Sequence, residues 1–218
     1  MISLEFCTTA TFRPEIIDRT YKSFTDNLLG IDFKISTLYL NVDPIPVGNT
    51  KEVIDVAKKY FGNVVYNIPE EPNFTKAIKW CWSQVKNEYF FNLEDDWELL
   101  TRVKIDDLIF KLNRDKQCIA INLRAYSHIR DGRVCLSPGL FLSSWGKKFA
   151  SALDPRFNPE KQIRYGSGVE IQFLLKSISK QHPTNTDVFI RDIGRDWLNN
   201  RQDYGRGAGN SFTTWTKK

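Results

Sequence analysis

Apolar positions in the first hundred residues switch between two periods. Runs at strand spacing cover 4–9, 33–42, 64–68 and 89–93, and the stretches between them carry apolar residues at helical spacing. Helices are predicted at 13–28, with Pro14 in the first turn, at 51–61, and from Asn73 or Thr75 to 85. In the last of these, Ala77, Ile78, Cys81, Trp82 and Val85 fall on one face. This β-α-β-α-β-α-β order predicts a mostly parallel, Rossmann-like α/β sheet with helices on both faces. The second half is less regular. It predicts a helix at 105–112, a strand at 118–123, a strand at 133–142 broken at Ser137-Pro138-Gly139, and a helix near 145–153. A further helix is expected after Gly166-Ser167-Gly168, with Ile171, Leu174, Leu175 and Ile178 on one face, then a strand at 188–190. Gly205, Gly207 and Gly209 mark the last twenty residues as a mobile loop.

The apolar run Tyr89-Phe90-Phe91 with Leu93 ends abruptly in Glu94, Asp95 and Asp96. Three adjacent carboxylates repel one another unless a cation sits among them. Hard oxygen ligands suit Mg²⁺ or Mn²⁺, which commonly join a carboxylate to a diphosphate. A solvated strand-to-loop exit is the other account of the same acids. In parallel sheets, ligands bind beyond the carboxyl ends of the strands. Thr8 and Thr9, Asp43, and the acids at 94–96 end three separate strands, which places polar groups along one edge.

Composition narrows the class. At 218 residues and 25.4 kDa, with 41% hydrophobic and 13% aromatic residues, the chain is expected to build one domain, 1–198, followed by a basic tail or lid, 199–218. A strand begins almost at once and no run reaches membrane-spanning length, so a cytoplasmic protein is expected. Cys7, Cys81, Cys118 and Cys135 are widely spaced and read as reduced thiols, and two histidines support neither zinc chemistry nor a Ser-His-Asp triad. The net charge of +5 does not by itself imply nucleic acid, although Arg191, Arg195, Arg201, Arg206, Lys217 and Lys218 crowd the last segment.

Taken in order, the turn Thr8-Thr9-Ala10-Thr11-Phe12-Arg13-Pro14, Asp43, the helix start at 73–76, the acids at 94–96 and Glu170 resemble nucleotide-sugar glycosyltransferases of the GT-A fold, of the broad family-2-like type. The acids stand where those enzymes carry a DxD motif, with Glu94 replacing its first Asp. The resemblance implies a nucleoside-diphosphate sugar donor and Mn²⁺ or Mg²⁺. Asp96 would hold the metal, with Asp95 or Glu94 helping through the ribose or a coordinated water. Asp192 stands where relatives supply a late His ligand. Thr8, Thr9 and Arg13 would line the nucleotide, Asp43 would accept from base or ribose, and Lys76 is either a donor contact or a solvated helix lysine. Arg195, Arg201 and Tyr204 would fold over the diphosphate, or belong to an ordinary C-terminal segment. Glu170 is a general base, or an acid favoured by a helix N-terminus. Acceptors compatible with this type include surface glycans, protein hydroxyls and hydroxymethylated DNA, the last by analogy with compact virus-encoded enzymes. The rivals are a sugar-nucleotide pyrophosphorylase, which normally has a Gly-rich loop after its first strand, a metal nuclease, and a non-catalytic carbohydrate-binding protein.

Overall fold

The computed structural model describes residues 1–44, 49–116, 118–123, 135–165, 178–181, 190–199, 204–206 and 215–217. The first half runs β1 (Glu5–Ala10), α1 (Pro14–Asn27), β2 (Leu28–Leu29), β3 (Thr37–Val42), α2 (Thr50–Tyr60), β4 (Asn63–Asn67), α3 (Phe74–Gln84) and β5 (Tyr89–Asn92). Then come β6 (Trp97–Leu99), β7 (Val103–Lys104), α4 (Ile105–Arg114), β8 (Cys118–Asn122), β9 (Gly139–Leu142), α5 (Ser143–Ala152) and α6 (Pro159–Tyr165). The remaining described elements are β10 (Ile178–Gln181), β11 (Ile190–Asp192), α7 (Gly194–Asn199), β12 (Tyr204–Arg206) and β13 (Trp215–Lys217).

Local chemistry sets the helix starts. Pro14 occupies the first turn of α1, where its missing N–H costs nothing. The Asn49 side chain caps α2 by accepting from Lys51 N at 3.0 Å, and Asn73 caps α3 by accepting from Lys76 N at 2.9 Å.

Seven strands form one sheet in the order β10-β8-β9-β5-β1-β3-β4. β1 runs parallel to β3 and β5, β3 to β4, and β10 to β8, whereas β9 is antiparallel to both its neighbours. Side chains alternate across the sheet with the strand period of two. Phe6 and Phe91 join Ile17, Phe24, Val53, Ala57 and Leu108 on one face. Cys7 and Phe90 join Ile78, Trp82, Phe149 and Ile163 on the other. Gly146 lets α5 lie against the sheet, since a Cβ there would stand 2.5 Å from the Phe90 ring.

The chain builds outward from β1 through β3 to β4, then crosses to β5 on the other side of β1. The strand order therefore reverses between β1 and β5, and their carboxyl ends open a crevice at that point. A separate antiparallel pair, β6 with β11, sets Asp192 opposite Trp97, Arg191 opposite Glu98 and Ile190 opposite Leu99.

Several expectations shift. Residues 33–36 form a turn before β3, in which Ser36 Oγ donates to Asp32 O and accepts from Leu4 N. Ile178 opens β10, so it does not belong to the helix predicted before it, and residues 166–177 lie outside the described residues. The strand predicted at 188–190 is described from Ile190 onward as β11. Within 199–218 the described residues pair as β12 with β13, Tyr204 opposite Lys217. All four cysteines are free thiols, three of them buried. No helix among the described residues is long and apolar enough to cross a membrane.

Candidate active site

The crevice between β1 and β5 is built around one buried cation. Arg13, 2% exposed, reaches beneath the acids, and its Nη2 donates to Asp95 Oδ1 at 2.6 Å and to Asp96 Oδ2 at 3.2 Å. Asp95, 4% exposed, also accepts from Thr11 N at 3.2 Å, and Thr20 Oγ1 on α1 donates to its backbone carbonyl at 2.8 Å. Burial works against the Arg13 charge, but the pull of Asp95 and Asp96 outweighs it and raises the pKa. Burial pushes Asp95 up, and Arg13 opposes that rise. The repulsion that seemed to require a metal is thus relieved in part by an arginine of the chain itself. Glu94 is shifted as well. Burial, then Asp96 and Glu160, push Glu94 well above the usual carboxylate range, while Trp97 Nε1 donates to its Oε2 at 2.8 Å.

Asp96 differs from Asp95 in being 18% exposed, at the mouth of the crevice. Its backbone carbonyl accepts from Ile193 N at 2.9 Å and Gly194 N at 3.3 Å, which seats the β11–α7 junction on the acids. A Cβ on Gly194 would stand 2.2 Å from Asp96 Oδ2, so only glycine allows this approach. Trp197 of α7 completes the cover: its Nε1 donates to Glu15 Oε1 at 2.7 Å, and the Arg13 Cζ lies 5.6 Å from its ring centroid.

Asp43 stands at the end of β3, buried at 5% exposure. Its carboxylate accepts from Asn41 Nδ2 at 2.7 Å and from Asn73 N at 3.1 Å, and burial raises its pKa to about 6. Asn73 also donates to Pro155 O at 3.2 Å, and Thr75 Oγ1 to Phe157 O at 2.5 Å, so the loop leading into α6 is tied to the start of α3.

Arg13, Asp95 and Asp96 thus meet in the crevice, Asp43 ends the adjoining strand β3, and the β6–β11 pairing sets Asp192 opposite Trp97, the residue after Asp96. Thr8 is fully buried and donates to Leu93 O at 2.6 Å, so its hydroxyl fastens β1 to β5; Thr9 is partly exposed on the same strand. Lys76 is exposed on the first turn of α3. Arg195 lies in α7 and Tyr204 in β12, each described by its backbone position. Glu170 and Arg201 lie outside the described residues. The sequence pattern assigned no separate site role to Thr11, Glu15, Thr20, Gly194 or Trp197. A lone tryptophan in the polar stretch 191–197 was the one available signal.

Among the described residues no three His, Cys, Asp or Glu side chains form a complete metal cage. Mg²⁺-type sites, however, commonly use one or two carboxylates and take the remaining oxygens from substrate phosphates. Asp96, partly exposed and more loosely held by Arg13 than Asp95 is, fits that requirement.

Neither protein-family models nor curated protein sequences match the chain. Solved structures do. A cytidylyltransferase from Leptospira borgpetersenii superposes with a TM-score of 0.53 at 10% identity, covering 91% of this chain and 84% of its own. The fold is GT-A-like. The mannosyltransferase PcManGT from Pyrobaculum calidifontis, solved with GDP-Man and Mn²⁺, gives 0.57 at 8% identity, covering 83% of this chain and 55% of that one. Residues 1–349 of S. aureus TarS, solved with UDP, give 0.54 at 10% identity over 86% and 59%. This GT-A-like chain thus shares its mostly parallel sheet with both glycosyl- and nucleotidyl-transferring proteins. It spans little more than half the length of PcManGT and of the TarS fragment.

Proposed function

We propose that the protein transfers a sugar from a nucleoside-diphosphate sugar to a hydroxyl acceptor, with the donor in the crevice between β1 and β5. The observation that carries this reading is the meeting of Arg13, Asp95 and Asp96 at the strand-order reversal between β1 and β5, the usual ligand position in such sheets, with Asp43 at the end of the adjoining strand β3. Asp43 receives the base or ribose. Asp96 holds Mn²⁺ or Mg²⁺, with Glu94 beside it and Asp192 at the facing strand end. A bound divalent ion would offset the charge gathering on the diphosphate leaving group. Arg13 keeps Asp95 fixed beneath. Thr9, Lys76, Arg195, Arg201 and Tyr204 are the proposed donor contacts, and Glu170 the proposed base toward the acceptor hydroxyl. The DNA acceptor enters only as a member of the acceptor screen.

A nucleotidyltransferase is the second reading, favoured by the 84% coverage of the Leptospira cytidylyltransferase. The turn after β1 counts against it. Its Thr11 N–H is directed to Asp95 and its Arg13 N–H to Thr11 O at 2.8 Å, not to an incoming triphosphate.

The test is a thermal-shift panel of nucleoside diphosphates with and without Mn²⁺, followed by turnover assays. Ligand at about a hundred times Kd should stabilise the fold by about 2.7 kcal/mol. Release of nucleoside diphosphate from a nucleotide sugar supports the proposal, with acceptors then screened from glycans, proteins and hydroxymethylated DNA. Pyrophosphate release from a nucleoside triphosphate and a sugar phosphate would replace it with the second reading.

A further inference from the structure

One nitrogen, Arg13 Nη2, spans two carboxylates of unequal standing. The contact to Asp95 is short, 2.6 Å, between side chains that are 2% and 5% exposed. The contact to Asp96 is longer, 3.2 Å, and its carboxylate is 18% exposed. The guanidinium also lies over the Trp197 ring, its Cζ 5.6 Å from the centroid, and the indole N–H is anchored on Glu15 Oε1 at 2.7 Å. Trp197 is itself placed by α7, whose first residue, Gly194, donates to the Asp96 backbone carbonyl together with the preceding Ile193. The guanidinium thus touches an aromatic face and two acids, and the longer of its two ion pairs is the one to Asp96.

We propose that Arg13 is a resident counter-cation which a divalent ion must displace from Asp96, and that Trp197 is the positioning residue that sets how firmly Arg13 holds on. This inference rests on the reading of Asp96 as the metal-holding carboxylate. A metal held at Asp96 would take the place of the Arg13 contact there while the shorter Arg13–Asp95 pair stays, so one positive partner of Asp96 would give way to another. Asp96 is then never an uncompensated charge, with or without donor. Trp197 opposes the exchange, because its face and its latch to Glu15 keep the guanidinium between the two acids.

The consequence has an unusual sign. Loss of a side chain that merely supports the site should weaken metal binding, whereas loss of Trp197 should strengthen it. The experiment titrates Mn²⁺ into the full chain in the presence of nucleoside diphosphate, against a control of nucleotide without protein, reading free Mn²⁺ by electron paramagnetic resonance, with thermal unfolding run in parallel. Variants are Trp197→Ala, which removes face and latch, and Trp197→Phe and Glu15→Ala, which remove only the latch. The expected result is a several-fold lower Mn²⁺ half-saturation in Trp197→Ala, smaller falls in the other two, and loss of binding in Asp96→Ala. A half-saturation unchanged or raised in all three, while the wild type binds Mn²⁺ through Asp96, overturns the exchange and leaves the metal reading standing. Should Trp197→Ala not fold, the two latch variants decide by the same sign. Wild type that takes up no Mn²⁺, alone or with nucleoside diphosphate, removes both.

Discussion

Removing the Asp96 carboxylate leaves Arg13 paired with Asp95, and the backbone bonds that seat α7 on residue 96 do not depend on that side chain. Asp96→Ala should therefore cost stability only about 1 kcal/mol while abolishing Mn²⁺-dependent nucleotide binding. Calorimetric titration with UDP and GDP checks this, and unchanged affinity with unchanged metal dependence would refute it. Arg13→Met is expected to behave oppositely, losing about 3–5 kcal/mol in denaturant unfolding, because it leaves a buried Asp95 without its ion-pair partner. Asp43 offers a pH test. Its native pKa, raised to about 6, lies above the unfolded value, so between about pH 4 and 6 the native state holds a proton that the unfolded chain has released. Stability from this group must fall as pH rises through that window. Wild-type stability relative to Asp43→Asn should fall by about 2–3 kcal/mol from pH 4 to 7, and a flat difference would place the carboxylate in water. Glu170→Gln should lower turnover far more than donor affinity; steady-state rates within a few-fold of wild type would reduce Glu170 to a helix-start acid. At this scale the sequence announced the acids and Asp43 by their place at strand ends. It could not announce the use of Arg13, because a cation near a turn reads alike whether it faces a ligand or two carboxylates 82 and 83 residues away.

Among the elements, β11 and α7 are the pieces that convert a sheet edge into an enclosed site. Gly194 tests this. In Gly194→Ala the new Cβ would overlap Asp96 Oδ2, Cβ and Cγ, so the junction must withdraw, with a stability loss of about 1–3 kcal/mol and weaker nucleotide binding. Thermal unfolding and a binding titration measure both. Full retention of both would mean that the junction does not shape the site. The first-half elements were legible because each alternates cleanly between periods and is punctuated by Pro14, Asn49 and Asn73. Later ones were not. α6 is seven residues long, and its fully buried Gln162 is satisfied by bonds to Asp154 and Phe157 that no apolar pattern records. α7 is six residues of mostly polar character, and Ile178 kept helical spacing with Leu174 although it begins a strand.

Across the whole molecule, β1 and β5 feed both apolar clusters, Phe6 and Phe91 to one and Cys7 and Phe90 to the other. Neither cluster can dissolve without exposing the strands that carry its counterpart. A single calorimetric transition is expected, and Phe90→Ala, where Trp82 and Phe141 pack on the lost ring, should lower it intact by roughly 6–20 °C. Two separable transitions, only one of them shifted, would show the clusters to be independent. The pairing of β6 with β11 has a consequence for synthesis. Glu98 meets Arg191 across 93 residues of chain, and that return brings Ile193 and Gly194 onto the Asp96 carbonyl. On the ribosome, β1 to β5 can assemble while residues 190–199 are still inside the exit tunnel. A nascent chain at that stage carries its crevice uncovered, and nucleotide binding should arise late in translation.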